Sequence, residues 1–285
     1  MTASVLDGAA CAREIYSELQ KRIEALAARG IKPGLATLLV GDNASSRIYV
    51  RNKIRKCLEV GLHGELHELP GNASESAVSA MMDELNGAGR IHGIILQLPL
   101  PKQLDPQRLT QAIAREKDVD GFNWSNLGAL LDGQAQLAPC TPAGVVRMLD
   151  RARVPIEGRH AVVIGRSSIV GKPLALMLIA RGATVTVCNS KTRDLGAYTR
   201  AADILVAAAG RARLVKGDMV KAGAVVIDVG INRLPDGKIC GDVDFDTVKE
   251  KAAAITPVPG GVGPVTIAML IANTVTAAER LTARA

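Results

Sequence analysis

The chain has 285 residues, 48% of them hydrophobic, enough for two domains with a sizeable core. It carries 35 Lys and Arg against 28 Asp and Glu, a net charge of +7. One Trp, three Tyr and two Phe leave few stacking platforms, and no dense Lys/Arg tract occurs. The charge could mean nucleic acid, but few aromatics are there to stack on single strands, and an anionic small ligand explains it equally well.

The N-terminus lacks a basic region followed by an apolar stretch, and no uninterrupted apolar run reaches the length of a membrane span. A cytoplasmic protein with no membrane partner is expected. The cysteines (Cys11, Cys57, Cys140, Cys188 and Cys240) are odd in number and form no C-x-x-C pair, which argues against a disulfide framework or a zinc knuckle. His63 and His67 lie in His-Gly-Glu-Leu-His, not H-E-x-x-H, on a segment that reads as a strand, so no metal is expected there.

Taken in chain order, helix and strand patterns alternate, the signature of an α/β fold. Residues 9–29 carry Ile15, Leu19, Ile23 and Leu26 at helical spacing. Leu35 to Val40 is an apolar strand closed by Gly41, and residues 44–60 form a helix with Asn43 or Ser45 as cap. Residues 74–86 repeat the helical pattern. Ile94-Ile95-Leu96 reads as a parallel strand covered on both faces. Strands recur near 161–165, 184–188, 204–208 and 224–229, and a last helix runs from about 264 to 282. Composition changes around 132–142 and again at 257–264. Residues 142–263 are thus expected to be an inserted dinucleotide-binding domain, with 1–141 plus 264–285 forming the other lobe and a cleft between the two.

The most informative stretch is Ala161-Val-Val-Ile-Gly165-Arg166-Ser167-Ser168-Ile-Val-Gly171-Lys172-Pro173: a buried strand, a tight turn and a helix start, the arrangement that holds a dinucleotide pyrophosphate. Its Gly165-x-Ser167-x-x-x-Gly171 spacing departs from G-x-G-x-x-G. Gly165 gives backbone freedom, Gly171 allows close helix packing, and Ser167 and Ser168 can donate to phosphate oxygens. The next strand ends in Asn189-Ser190-Lys191-Thr192-Arg193, with no Asp or Glu at the tip to take a ribose 2′-hydroxyl. Hydroxyls and cations there suit a 2′-phosphate, hence NADP, with Arg166 able to reach it as a fork donor.

In the first domain, Tyr49 and Lys53 stand four apart on a helix, at the edge of the apolar stripe of Val50, Ile54, Cys57 and Leu58. A lysine there can be desolvated and fitted for proton transfer, or it can merely cover apolar surface with its stem. Gln97 ends an apolar strand before Leu98-Pro99-Leu100-Pro101, at the carboxyl edge where α/β ligands gather. Lys117-Asp118-Val119-Asp120-Gly121 is a turn whose two acids face opposite ways, and the turn alone does not say which serves a site.

These segments, with Pro139-Cys140-Thr141-Pro142 and Pro257-Val258-Pro259-Gly260-Gly261-Val262-Gly263-Pro264, resemble the bifunctional methylenetetrahydrofolate dehydrogenase/methenyltetrahydrofolate cyclohydrolase family. The resemblance implies a two-lobed α/β catalytic domain with an inserted Rossmann-type NADP-binding domain. It implies oxidation of 5,10-methylenetetrahydrofolate with NADP, then hydrolysis of the methenyl cation to 10-formyltetrahydrofolate. It makes Lys53 the acid/base, Gln97 its hydrogen-bond partner, Tyr49 the residue lying against the folate, and Asp120 the binder of the pterin amino edge. Pro99, Gly261 and Pro264 join the substrate site. Gly165, Arg166, Ser167, Ser168, Ser190 and Arg193 hold the phosphates, with Ile231 and Thr266 near the nicotinamide. A homodimer is also implied. The rival readings are another NADP-dependent dehydrogenase of the shikimate or amino-acid type, and a non-catalytic NADP sensor or nucleic-acid binder.

Overall fold

The computed structural model describes residues 2–283, leaving aside the side chains at 44 and 45, so the alternative cap Ser45 lies outside the described residues. The first elements are β1 (Ser4–Val5), α1 (Gly8–Ala27), β2 (Gly34–Val40), α2 (Ala44–Glu59), β3 (His63–Leu69), α3 (Glu75–Gly87) and β4 (Gly93–Leu96). Then come α4 (Pro106–Gln111), α5 (Trp124–Leu131), α6 (Cys140–Arg151), β5 (His160–Ile164), α7 (Gly171–Ala180), β6 (Thr184–Cys188), α8 (Leu195–Thr199) and β7 (Ile204–Ala207). The chain ends with β8 (Val225–Asp228), β9 (Asn232–Arg233), β10 (Ile239–Cys240), α9 (Phe245–Val248), β11 (Ala254–Ile255) and α10 (Val262–Thr282).

It folds into two compact units. One comprises the residues up to Glu14 with Thr141–Ala268, and the other Ile15–Cys140 with the residues from Met269 on. The second unit is built on a parallel three-stranded sheet, β3-β2-β4. β2 is buried along its whole length, as a strand of mostly apolar residues covered on both faces should be. One face of the sheet packs on α3 through Ala36, Leu38, Ile94 and Leu96 against Val78, Met82 and Leu85. Truncating any of these leucines to alanine would cost about 2–5 kcal/mol.

The first unit carries a six-stranded, all-parallel sheet in the order β1-β11-β8-β7-β5-β6. β5 starts the unit's βαβ run, and the chain goes to β6 on one side and β7 on the other. The strand order therefore reverses between β5 and β7, and ligands of such sheets bind outside the strands' carboxyl ends at that point.

The N-terminus departs from the reading of the sequence, which kept residues 1–141 together. β1 pairs in parallel with β11 (Ser4 with Ala254, Val5 with Ile255), and the Gly8 N–H donates to Gly260 O at 3.0 Å. A strand of two residues has no periodicity to read. The return also falls later, at Met269 instead of residue 264. α10 is long and apolar enough to cross a membrane by composition alone, yet more than half of its apolar window is buried inside the protein.

Candidate active site

Asn43 caps α2, its side chain accepting from the Ser46 N–H at 2.9 Å. The cap starts the helix so that Val50 and Cys57 are fully buried against the sheet, and Tyr49 and Lys53 fall one turn apart beside them. Lys53 is only 8% exposed, and its Nζ makes a part-buried hydrogen bond. Its Nζ donates to Gln97 Oε1 at 3.2 Å and stands 5.6 Å from the Tyr49 ring centroid. Gln97, just past β4, donates its Nε2 to Leu98 O at 2.7 Å. That bond fixes the amide orientation and leaves the oxygen facing the lysine.

The structure separates the two acids of the 117–121 turn. Asp118 is fully buried and accepts from the N–H of Gly121 (3.1 Å), the N–H of Asn123 (2.7 Å) and Asn126 Nδ2 (2.8 Å). It holds the turn together. Asp120 is half-buried and close enough to feel the Lys53 charge. Burial pushes its carboxyl up, the Lys53 cation pulls it back, and the Asp118 carboxylate adds to the rise. Burial also raises the Tyr49 phenol, with Asp120 adding to it. The Cys140 thiol is pushed well above its usual range by burial and by Asp120, against the pull of Lys53. Tyr49, Lys53, Asp120 and Cys140 thus share one electrostatic neighbourhood. Pro99 is exposed on the segment that follows Gln97.

Two supporting residues escaped the reading of the sequence. Cys140 Sγ donates to Val119 O at 3.2 Å. Asn273, buried on α10, donates its one amide nitrogen to Val119 O (2.8 Å) and Ala138 O (2.9 Å). This ties down the residue before Asp120 and the segment leading to Cys140. The available signal was an asparagine within an otherwise apolar helical stripe.

In the other unit, the turn after β5 lies at the strand-order reversal. Gly165 has φ 129°, and a Cβ on it would meet Ala208 O at 2.2 Å. A Cβ on Gly171 would meet Gly165 O at 2.1 Å. Both glycines are therefore obligatory, and the odd spacing still makes the tight turn. Ser167 Oγ accepts from the N–H groups of Val170 and Gly171 at 3.2 and 3.3 Å, which leaves its own proton free to donate. Arg166 and Ser168 are exposed.

At the tip of β6 the Asn189 N–H donates to Thr192 Oγ1 (2.8 Å) and the Lys191 N–H to Asn189 Oδ1 (3.0 Å), so the loop is closed on itself. Ser190 and Arg193 stand exposed on it. The nearest acid in sequence, Asp194, caps α8 by accepting from the Ala197 N–H at 3.1 Å. Hydroxyls, cations and no free carboxylate fit a 2′-phosphorylated dinucleotide.

Ile231 is 60% exposed beyond Gly230. Thr266 Oγ1 lies 3.1 Å from Thr141 Oγ1, and Pro264 sits half-buried in the first turn of α10. Gly261 is buried, and a Cβ there would meet Pro257 O at 2.5 Å. A cavity of about 320 Å³ lined by Arg159, Asp203 and Lys221 lies at the opposite, amino ends of β5, β7 and β8, away from these residues.

A buried lysine–amide–carboxylate cluster in one α/β unit and a phosphate-binding turn on a parallel sheet in the other define a nucleotide-dependent enzyme of the α/β class. Residues 6–120 match the catalytic domain of tetrahydrofolate dehydrogenase/cyclohydrolase, and residues 139–282 match its NAD(P)-binding domain. The chain belongs to the tetrahydrofolate dehydrogenase/cyclohydrolase family.

It is 57% identical over 284 residues to the bifunctional protein FolD of Nitrosospira multiformis, covering 100% of this chain and 99% of that one. The crystal structure of the bifunctional methylenetetrahydrofolate dehydrogenase/cyclohydrolase FolD from Campylobacter jejuni has a TM-score of 0.96 at 46% identity, covering 98% of this chain and 99% of that one. The Trypanosoma brucei enzyme, complexed with NADP and an inhibitor, has a TM-score of 0.95 at 40% identity, with both chains covered at 100%.

Proposed function

We propose that this chain is a bifunctional enzyme that oxidises 5,10-methylenetetrahydrofolate with NADP and hydrolyses the resulting methenyl compound to 10-formyltetrahydrofolate. Family membership along nearly the whole chain supports this. The observation that carries the chemistry is Lys53, a largely buried lysine with a fixed amide acceptor and a carboxylate in its neighbourhood.

When bound, NADP supplies the hydride acceptor. The turn at Gly165–Gly171 takes its pyrophosphate, and Arg166, Ser190 and Arg193 take the 2′-phosphate. Ile231 and Thr266 bound the nicotinamide. The protein's task in oxidation is to hold the folate still, since positioning supplies most of the acceleration in such transfers. Tyr49 offers the pterin-side ring a face. Asp120 accepts from the pterin amino edge, with Pro99 in the same unit, and the family resemblance assigns Gly261 and Pro264 to substrate as well.

Hydrolysis adds the oxygen of water to the cationic methenyl carbon, releases one proton, and then breaks the bond from that carbon to ring nitrogen N5. Lys53, acting as its neutral amine, takes one proton from the attacking water and gives it to N5 as that nitrogen leaves, and the remaining hydroxyl proton passes to bulk water as the formyl carbonyl forms. Gln97 holds Nζ in place through both transfers. The test is the decay of the methenyl compound catalysed by a Lys53→Met variant. Loss of that catalysis with the fold retained supports the assignment, and an unimpaired rate removes it.

The same reading takes the protein as a cytoplasmic homodimer with neither a nucleic-acid nor a membrane partner. The scarcity of aromatic residues speaks against single-stranded nucleic acid and the burial of α10 against a membrane span, while the homodimer rests on the family resemblance. Light scattering at micromolar concentration tests the dimer.

A further inference from the structure

Two buried acids, Asp228 and Asp242, have no role in the chemistry above. Asp228 ends β8 and is 3% exposed, while Asp242 is wholly buried. Together they accept seven hydrogen bonds from the loops at the carboxyl edge of the six-stranded sheet. Asp242 Oδ2 accepts from the N–H groups of Ala209 (2.6 Å) and Gly210 (2.8 Å). Its Oδ1 accepts from the Arg211 N–H and from Asn232 Nδ2, both at 2.9 Å. Asp228 Oδ1 accepts from the N–H groups of Gly230 and Asp242, and its Oδ2 from that of Val243, each at 2.9 Å.

The four acceptor positions of the Asp242 carboxylate are therefore filled, and three of the four donors belong to the consecutive residues 209–211. Two glycines leave room for the pair. A Cβ on Gly230 would lie 2.2 Å from Asp242 Oδ1, and one on Gly241 would lie 1.8 Å from Asp228 Oδ2.

The held loops border the phosphate-binding turn. The Ala208 N–H donates to Ile164 O at 2.8 Å, and Ala208 O is the atom that forbids a side chain on Gly165. On the other side, the bond from Asp228 to the Gly230 N–H fixes the residue before the exposed Ile231. A carboxylate that gathers successive N–H groups presets a loop's shape before any ligand arrives. It also leaves the carbonyls of that loop pointing away from the acid.

We propose that the Asp228–Asp242 pair is the positioning element of the dinucleotide site, setting loops 208–211 and 229–232 in the shape that receives the cofactor's nicotinamide half. This rests on the NADP reading above. An Asn at 242 keeps the size but replaces one acceptor oxygen with a donor, so N–H groups of 209–211 lose their partner. Asp242→Asn is expected to raise the NADP dissociation constant at least tenfold in titration calorimetry. It is also expected to speed amide hydrogen exchange at 209–211 and to raise the KM for NADP, while the KM for methylenetetrahydrofolate moves less than twofold.

Asn232→Ala removes a single bond from a half-buried side chain and is expected to raise the NADP dissociation constant about threefold. This variant carries the test if Asp242→Asn does not fold. Wild-type NADP affinity in the folded variants overturns the proposal. So does an equal rise in both KM values, which would give the pair to the fold at large. If the unsubstituted protein itself binds no NADP, the functional reading falls first.

Discussion

Replacing Lys53 by Met keeps the length and apolar stem of the side chain and deletes its charge and proton. Lys53 is 8% exposed, and its Nζ donates to Gln97 Oε1. A positioned acid/base contributes about 10²- to 10⁴-fold to a proton-transfer step, or roughly 3–5 kcal/mol of activation free energy. The variant is therefore expected to lose at least about a hundredfold in methenyl hydrolysis.

The cost to folding is smaller. Removing the ammonium relieves the desolvation of a buried charge, but it strands the Gln97 oxygen and leaves Asp120 without its cation. A hydrogen bond to a charged group contributes about 1.5–3 kcal/mol, so Tm should fall by no more than about 12 °C at roughly 2–4 °C per kcal/mol. Since Lys53 pulls the Asp120 carboxyl down, its loss should also move that titration further up. The assay is the decay of methenyltetrahydrofolate absorbance, with calorimetric titration of NADP as the control for the fold. A hydrolysis rate within threefold of the unsubstituted protein, with NADP affinity intact, would refute Lys53 as the acid/base.

Asp120→Asn removes a charged acceptor from the folate site and should raise the KM for methylenetetrahydrofolate roughly 10- to 100-fold, with the KM for NADP unmoved, as initial-rate kinetics would reveal. The acid-free tip of β6 predicts a strong preference for NADP over NAD. Arg166→Ala or Ser190→Ala should erode it by about tenfold or more, and comparable kcat/KM values for both cofactors in the unsubstituted protein would count against the 2′-phosphate site. Asp228 is held at about 6 by burial, above its ordinary 3.8, with the neighbouring Asp242 adding to the rise. The folded state then binds a proton more tightly than the unfolded one between those values, so this group's contribution to stability falls by about 3 kcal/mol as pH rises from 3.8 to about 6. Urea unfolding of Asp228→Asn across that window should lack this decline.

Long apolar patterns were legible in the sequence because a whole buried face repeats. The spacing of Ile15, Leu19, Ile23 and Leu26 becomes α1, and the mostly apolar run from Leu35 to Val40 becomes β2. The placement of Lys53 beside a stripe could be read from helix geometry, but its depth could not. Whether an ammonium reaches water depends on what lies above it, here including Gln97 from a strand forty-four residues away. Asp118 and Asp120 looked alike in sequence, and only the loop that folds back through Asn123 and Asn126 tells them apart. β1, the β9–β10 pair and the short helix α4 were missed because so few residues leave no period. The Asp228–Asp242 pair was invisible for another reason: its partners are mostly backbone N–H groups, which every sequence supplies.

The central claim is that one chain carries out both reactions. It is tested most directly by supplying the purified protein with 5,10-methylenetetrahydrofolate and NADP and following NADPH and 10-formyltetrahydrofolate together. The account predicts that NADPH appears first and the formyl product follows in equal final amount. An absence of NADPH, or NADPH with the methenyl compound persisting at its uncatalysed rate of decay, would contradict it.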